Sequence, residues 1–335
     1  MNSFSLGDLA QTFMLQRRGA ELKADFARVT EEVASGQVSD IKSVLRGNTG
    51  YLTDIENDLQ TLTGYGVATV EAAQFADTSQ TALELVQARV DRLSSVFVSN
   101  APNAVGSILD QFTDDAEAEM ATIVSALNTS SGGRSVFAGR ATDQAALAGV
   151  DTILTGLRAA TAIATTPEEL RIEAERWFDD PAGFAATAYT GTDDALVPFR
   201  LADDETVSMN VTANNAAFRD ILMHVSVAVL SNDANFNFST EDKQAIFQQA
   251  GQDLLGAQTD LTALRASVGT AQARIDEIST RNATQENALS IARNALLQVD
   301  PYEAATELEA VQFQLQSLYT VTARMSDMSF VNFVR

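Results

Sequence analysis

The sequence predicts a mainly α protein: a long antiparallel coiled-coil or helical bundle drawn from both chain ends, with a small α+β insertion at the centre. Three observations carry this. Apolar residues recur in a 3-4 alternation along both flanks, the signature of a helical seam. None of the five prolines lies before Pro102, and Pro167, Pro181 and Pro198 fall in one central region; proline breaks helices, so the flanks are free to be long helices and the centre is not. The charge is uneven: of the net −23, the stretch from Pro167 to Asp242 carries 15 acidic and 4 basic residues, a net of −11 on under a quarter of the chain.

The elements follow in order. Residues 1-40 read as an N-terminal helix of an inner coiled-coil domain, with Leu15, Leu22, Phe26, Val29 and Val33 on one stripe and Phe4, Leu6, Leu9 and Phe13 ahead of it. Residues 41-140 read as the N-terminal part of a helical bundle. Its seam runs Ile41, Leu45, Asn48, Leu52, Ile55, Leu59 and Leu62, then Leu83, Val86, Val90, Leu93 and Phe97, then Leu109, Phe112, Ala116, Met120, Ile123 and Leu127. Gly64-Tyr65-Gly66 predicts a bend, and Asn100-Ala101-Pro102 a turn between helices.

Residues 141-233 read as the α+β insertion. Leu196 to Leu201 and Thr206 to Val211 flank Asp203-Asp204-Glu205 as two short strands, with helices around Glu168 to Phe178 and Ala217 to Leu230. Its charge predicts a solvated surface that faces outward and tolerates deletion. Residues 234-299 return to the bundle, with Leu254, Ala257, Leu261, Leu264, Val268, Ala271, Ile275, Ile278, Asn282, Gln285, Leu289, Ala292, Leu296 and Val299 in unbroken alternation. Such a helix is roughly 70 Å long and needs partner helices along its length. Asp300-Pro301-Tyr302-Glu303 predicts a fresh start for residues 300-335: Asp as N-cap, Pro at the first helical position, Glu in the first turn. A second terminal seam then runs Ala304, Leu308, Val311, Leu315, Leu318, Thr322 and Met325 to Phe330, Val331 and Phe333. Ordering a residue costs about 1–2 kcal/mol, so the terminal seams must be covered, by each other or by another subunit.

Composition narrows function. The acidic balance, with a sequence pI near 4.2, disfavours nucleic acid and anionic membrane as partners. No run approaches the roughly 20 apolar residues that span a bilayer, and Met1 to Ala10 lacks a secretory-signal layout. Cysteine is absent, which removes disulfides, thiolate nucleophiles and thiolate metal sites.

The chemistry-bearing candidates are few. His224, the single histidine, borders an apolar helix face of Phe218, Ile221, Leu222 and Val225; one histidine without cysteine makes no zinc site, and a general base needs a positioned partner. Acidic runs at Asp114-Asp115, Asp179-Asp180, Asp193-Asp194 and Asp203-Asp204-Glu205 lack the ligand spacing of a calcium loop. Ser131-Gly132-Gly133-Arg134-Ser135 lacks the lysine of a P-loop and reads as a helix end and turn. No catalytic, cofactor-binding or metal-binding residues are assigned.

Ala126 to Gly139, with Asn128-Thr129 before a glycine turn and then Phe137-Ala138-Gly139, resembles the stretch that ends the first long helices of the flagellin-like hook-associated proteins. Asp300 to Leu308, continuing through Gln312, Leu315, Tyr319 and Ala323 to Ser329, is similar to the C-terminal helix of flagellins. Glu31-Glu32-Val33-Ala34-Ser35-Gly36 occupies the place of that family's turn after the first helix, without its following basic residue and Asp-Asp pair. Tyr189-Thr190-Gly191 and Val211-Thr212-Ala213 with Phe218 resemble the short insertion of hook-filament junction proteins.

The resemblance implies a non-enzymatic structural subunit of the bacterial flagellum that joins hook to filament and assembles through Phe13, Leu15, Leu22, Phe26, Val29, Leu308, Val311, Leu315, Leu318 and Met325. It implies self-assembly as a ring or helix, contact with a neighbouring hook-associated protein and with flagellin, and no cofactor. It also implies export without a cleaved signal through the flagellar type III apparatus, with an export chaperone, to the cell exterior. The alternative within the family is flagellin itself. An acidic glycan hydrolase with its site in the insertion, and a needle or tip protein of a virulence secretion system, are the readings from other classes.

Overall fold

The computed structural model describes residues 6–333. Phe4 lies outside the described residues, as do the side chains of Leu6, Leu9, Phe330, Val331 and Phe333. Ten α-helices and two short hairpins make up the described chain: α1 (Leu6–Ser35), α2 (Ile41–Val44), α3 (Gly50–Asn100), α4 (Ser107–Leu127), β1 (Ser130–Ser131) paired with β2 (Arg134–Ser135), α5 (Val150–Ala160), α6 (Pro167–Asp179), α7 (Phe184–Thr187), β3 (Phe199–Arg200) paired with β4 (Thr206–Val207), α8 (Ala216–Leu230), α9 (Thr240–Leu297) and α10 (Pro301–Phe333). The fold is mainly α, as the patterning predicts. It divides into two compact units, residues 1–63 with 284–335, and residues 64–283; α3 and α9 contribute to both.

In the unit 64–283, α3 and α9 run antiparallel. Arg265 Nη1 donates to Gln87 Oε1 at 2.6 Å, and Gln272 Nε2 to Asp77 Oδ1 at 2.7 Å. Gly251 permits the closest approach, because a Cβ there would lie 2.8 Å from Phe97 Cβ. The α9 seam is buried at Leu254, Ala257, Leu261, Val268, Ile275 and Ile278. Buried Asn282 is satisfied by donating to Leu201 O at 2.8 Å, as a polar group in a seam must be. Phe97, Phe112 and Phe247 join α3, α4 and α9 at centroid separations of 5.0 to 5.9 Å, the range in which aromatic pairs attract.

The central segment is embedded in this core. Every residue of α8 from Ala217 to Leu230 is buried except Arg219 and Asp220, and α8 packs on α4 with Ser226 Oγ 3.6 Å from Met120 Sδ. The β3–β4 hairpin folds back too. Phe199 meets Phe75 at 5.7 Å, the Arg134 guanidinium covers both rings, and Glu205 pairs with Arg274 and Arg281 of α9. The acidic segment is thus more than a solvated surface: its apolar residues are part of the core of this unit.

The Phe137-Ala138-Gly139 stretch is held by backbone pairing. Thr192 N donates to Ala138 O, Ala213 N to Phe137 O and Arg140 N to Asp194 O, at 2.8 to 3.1 Å. Burial pushes the neighbouring Tyr189 phenol up to about 12, with Asp193 adding to the effect, and its hydroxyl donates to Thr192 O at 2.7 Å. Gly139 has φ +63°, and a Cβ there would fall 2.0 Å from Thr192 O. Gly139→Ala combines left-handed strain of about 1–2 kcal/mol with a clash against fixed backbone. It is expected to lower unfolding free energy by more than ~2 kcal/mol, read as a shifted urea midpoint. An unchanged midpoint would refute this account of the motif.

One predicted boundary differs. At Gly64-Tyr65-Gly66 the helix is uninterrupted, since glycine weakens a helix by roughly 1 kcal/mol without obliging a break. The break instead lies at Arg46 and Gly47, with φ +49° and +78°, so Ile41, Leu45 and Asn48 are separate from the α3 seam. At the other end Asp300 Oδ1 accepts from the N–H of Tyr302 at 2.8 Å and of Glu303 at 3.3 Å, capping α10 as its sequence predicts.

Candidate functional site

The acidic runs and the single histidine make contacts within the fold. His224 lies on α8 with Nε2 3.2 Å from Asp220 of its own helix and Nδ1 3.5 Å from Asp253 of α9. Asp179 pairs with Arg219, Asp180 caps Ala182 N, Asp193 accepts twice from Asn214, and Asp203 accepts from Arg200. Among the described residues no group of three or more His, Asp or Glu side chains is placed to hold a metal. No helix among them is long and apolar enough to cross a membrane.

The feature with apolar surface to offer is the pair α1 and α10. They run antiparallel: Arg28 Nη2 reaches Glu307 Oε1 at 2.6 Å, Arg18 Nη2 reaches Gln314 Oε1 at 3.4 Å, and a Cβ on Gly19 would sit 3.3 Å from Leu318 Cδ2. Within this pair Leu22, Val29, Ala304 and Val311 are buried. Leu15, Phe26, Leu308, Leu315, Leu318 and Met325 are half-buried. Nine of the ten candidate assembly residues thus lie at or beside the seam, and Phe13 does not: it is 66% exposed. Phe313 (71% exposed), Tyr319 and Val321 are exposed along the groove between the two helices: Phe313 and Val321 line it with Leu15 and Leu22, and Lys23 Nζ lies 5.9 Å from the centre of the Tyr319 ring. Each α-helix buries one stripe against its partner, and two helices alone leave this groove uncovered.

The root of the pair shows what the stripe pattern missed. The pattern places Val33 on the seam, yet Val33 is exposed and Glu32 is buried. Glu32 Oε1 accepts from Ser39 N at 3.0 Å and Oε2 from Arg28 Nη1 at 2.8 Å. The hydrogen bond to Glu307 raises the Arg28 guanidinium above its ordinary value, with burial opposing and the Glu32 charge adding. Below this, Val38 N donates to Leu297 O at 2.8 Å and Val299 N to Gly36 O at 3.1 Å. The one legible sign was Arg28 and Glu32 at i and i+4; Glu307, far off in sequence, gave none.

Residues 252–334, about a quarter of the chain, match the family model of the bacterial flagellin C-terminal helical region. A solved structure described as a flagellar hook-associated protein from Vibrio parahaemolyticus aligns over 73% of this chain and 95% of its own, at 13% identity and a TM-score of 0.47. No curated protein matches the chain. The match takes in α9 from residue 252 onward and all of α10.

Proposed function

We propose that this chain is a structural subunit of the bacterial flagellum, and within it the junction between hook and filament. The observation that carries the reading is the flagellin-like match over α9 and α10, the same α10 that pairs with α1 and carries the exposed Phe313, Tyr319 and Val321. An assembly protein needs such exposed apolar surface, and the paired helices supply it. The proposal includes self-assembly, contact with a hook-associated neighbour and with flagellin, an extracellular location, and export through the flagellar type III apparatus with a chaperone. The Phe137-Ala138-Gly139 turn and the small central segment support the junction over the filament subunit.

Electron microscopy of cells lacking the protein, with immunogold on a tagged copy restored to them, is the test. Hooks without filaments, and label confined to the distal end of the hook, are the expected result. Label along the whole filament would assign the chain as flagellin instead. Normal filaments in the deletion strain would overturn both assignments.

A further inference from the structure

The Gly64-Tyr65-Gly66 step lies inside the uninterrupted 51-residue helix α3, and neither glycine is there to admit a neighbour. A Cβ built on Gly64 or Gly66 meets nothing within 4 Å, and neither residue has a left-handed φ. Space and backbone would both accept alanine, which makes the stronger helix. Gly251 of α9, pressed against Phe97, is the contrasting case of a glycine that packing requires.

The surrounding residues repeat the weakness. Thr61-Leu62-Thr63-Gly64-Tyr65-Gly66-Val67 contains one strong helix former, Leu62. Glycine loses the most backbone freedom on ordering, and threonine, tyrosine and valine lose side-chain freedom against the preceding turn. Thr61, Thr63 and Thr69 also donate their hydroxyls to the carbonyls of Asn57, Leu59 and Tyr65, at 2.9, 2.8 and 2.7 Å, an arrangement that slightly destabilises a helix. Packing offsets little of this. No residue of α3 between Ile55 and Thr69 is buried, Val67 is 67% exposed, and the Tyr65 hydroxyl meets Asp203 in an exposed hydrogen bond of 3.3 Å. On α9, Gly269 also has open space where a Cβ would lie, yet buried Val268 adjoins it and buried Leu261 and Ile275 flank it. Glycine without burial is peculiar to the α3 stretch.

We propose that residues 61–68 are a soft turn built into α3, a segment that loses its helical hydrogen bonds locally and reversibly while the packed helix from Thr69 onward keeps its own. The glycine pair leaves the folded helix unbroken and sets where it opens first. Exposed backbone hydrogen bonds and few buried contacts are the marks of the low-stability end of a fold. Such a turn lets a long helix yield at one place without disturbing the core that it helps to build, and it is independent of the flagellar assignment.

Amide hydrogen exchange on the full chain, corrected for the intrinsic rate of each amide, is the test. In the native chain the amides of residues 64–68 should exchange faster than those of residues 267–271 by about tenfold or more. Replacing Gly64→Ala together with Gly66→Ala should slow exchange at 64–68, by about fivefold for each glycine. Gly269→Ala should leave the rates at 64–68 as they were. Equal protection of the two segments in the native chain would overturn the proposal, as would unchanged rates at 64–68 in the double variant. Slowing at 64–68 by Gly269→Ala, to the same degree as at 267–271, would mean that the segment opens only when the whole unit unfolds, and would overturn it too.

Discussion

Removing residues 141–233 is expected to abolish cooperative folding of the unit 64–283. The deletion takes away α8, whose Phe218, Ile221, Leu222, Val225, Ala228 and Leu230 are each no more than 1% exposed. It also takes Phe199 from Phe75 and Phe218 from Phe137. Burying a large apolar side chain contributes about 1.5–3 kcal/mol, so losing even these residues removes roughly 10 kcal/mol or more. The whole stability of a domain is about 5–15 kcal/mol. The surface charge of the segment, however favourable for solubility, is too weak to alter that balance, since exposed ion pairs are worth about 0–1 kcal/mol each. Thermal unfolding of the truncated chain followed by far-ultraviolet circular dichroism should show a broad, non-cooperative loss, with binding of a hydrophobic dye before heating. A sharp transition near that of the full chain would show that α3, α4 and α9 form a self-sufficient bundle and that α8 is an addition to it.

This case marks where sequence reading stops being informative. Local chemistry was legible: Asp300-Pro301 announced the start of α10, proline-free flanks announced long helices, and Thr206 with Val207 announced a strand. Thr166 and Glu169 form a reciprocal capping box at the start of α6, which the helix signal at Glu168 anticipates. Which side of an element faces the core is a tertiary fact, and the central segment shows it. Its charge count is true of its surface and silent about α8, which is buried throughout from Ile221 to Leu230. At Gly64 and Gly66 the helix continues, held on both sides by buried residues, with Ile55 before and Ala72 after.

The terminal pair was legible in its seam and illegible in its root. Of the ten residues that the spacing named, nine are buried or half-buried along α1 and α10, and Phe13 is exposed. Glu32 was missed because a charged residue beside an exposed stripe position reads as solvated, and only Ser39 N and Arg28, both positioned by the fold, turn it inward.

Replacing Leu315 by Asp is expected to abolish assembly while leaving the unit 64–283 as stable as before. Leu315 is half-buried on α10, between buried Val311 and half-buried Leu318 along the seam. In the lone chain a carboxylate there keeps part of its hydration, so its cost is limited to the terminal pair. In an assembly that covers the pair the same carboxylate loses that water with no cation to meet it, at a cost of several kcal/mol per subunit. Each 1.4 kcal/mol is tenfold in an association constant, so two such increments weaken assembly a hundredfold and repetition across neighbouring subunits removes it. The unit 64–283 has its own apolar cluster from Ala72 to Ile278, and its unfolding free energy should change by less than about 0.5 kcal/mol, as expected for distant sites. Sedimentation of the assembled material and thermal unfolding of the soluble chain separate the two effects. Assembly at the native level would remove Leu315 from the interface, and a matching loss of thermal stability in the soluble chain would mean that the substitution acts by unfolding rather than by blocking a contact.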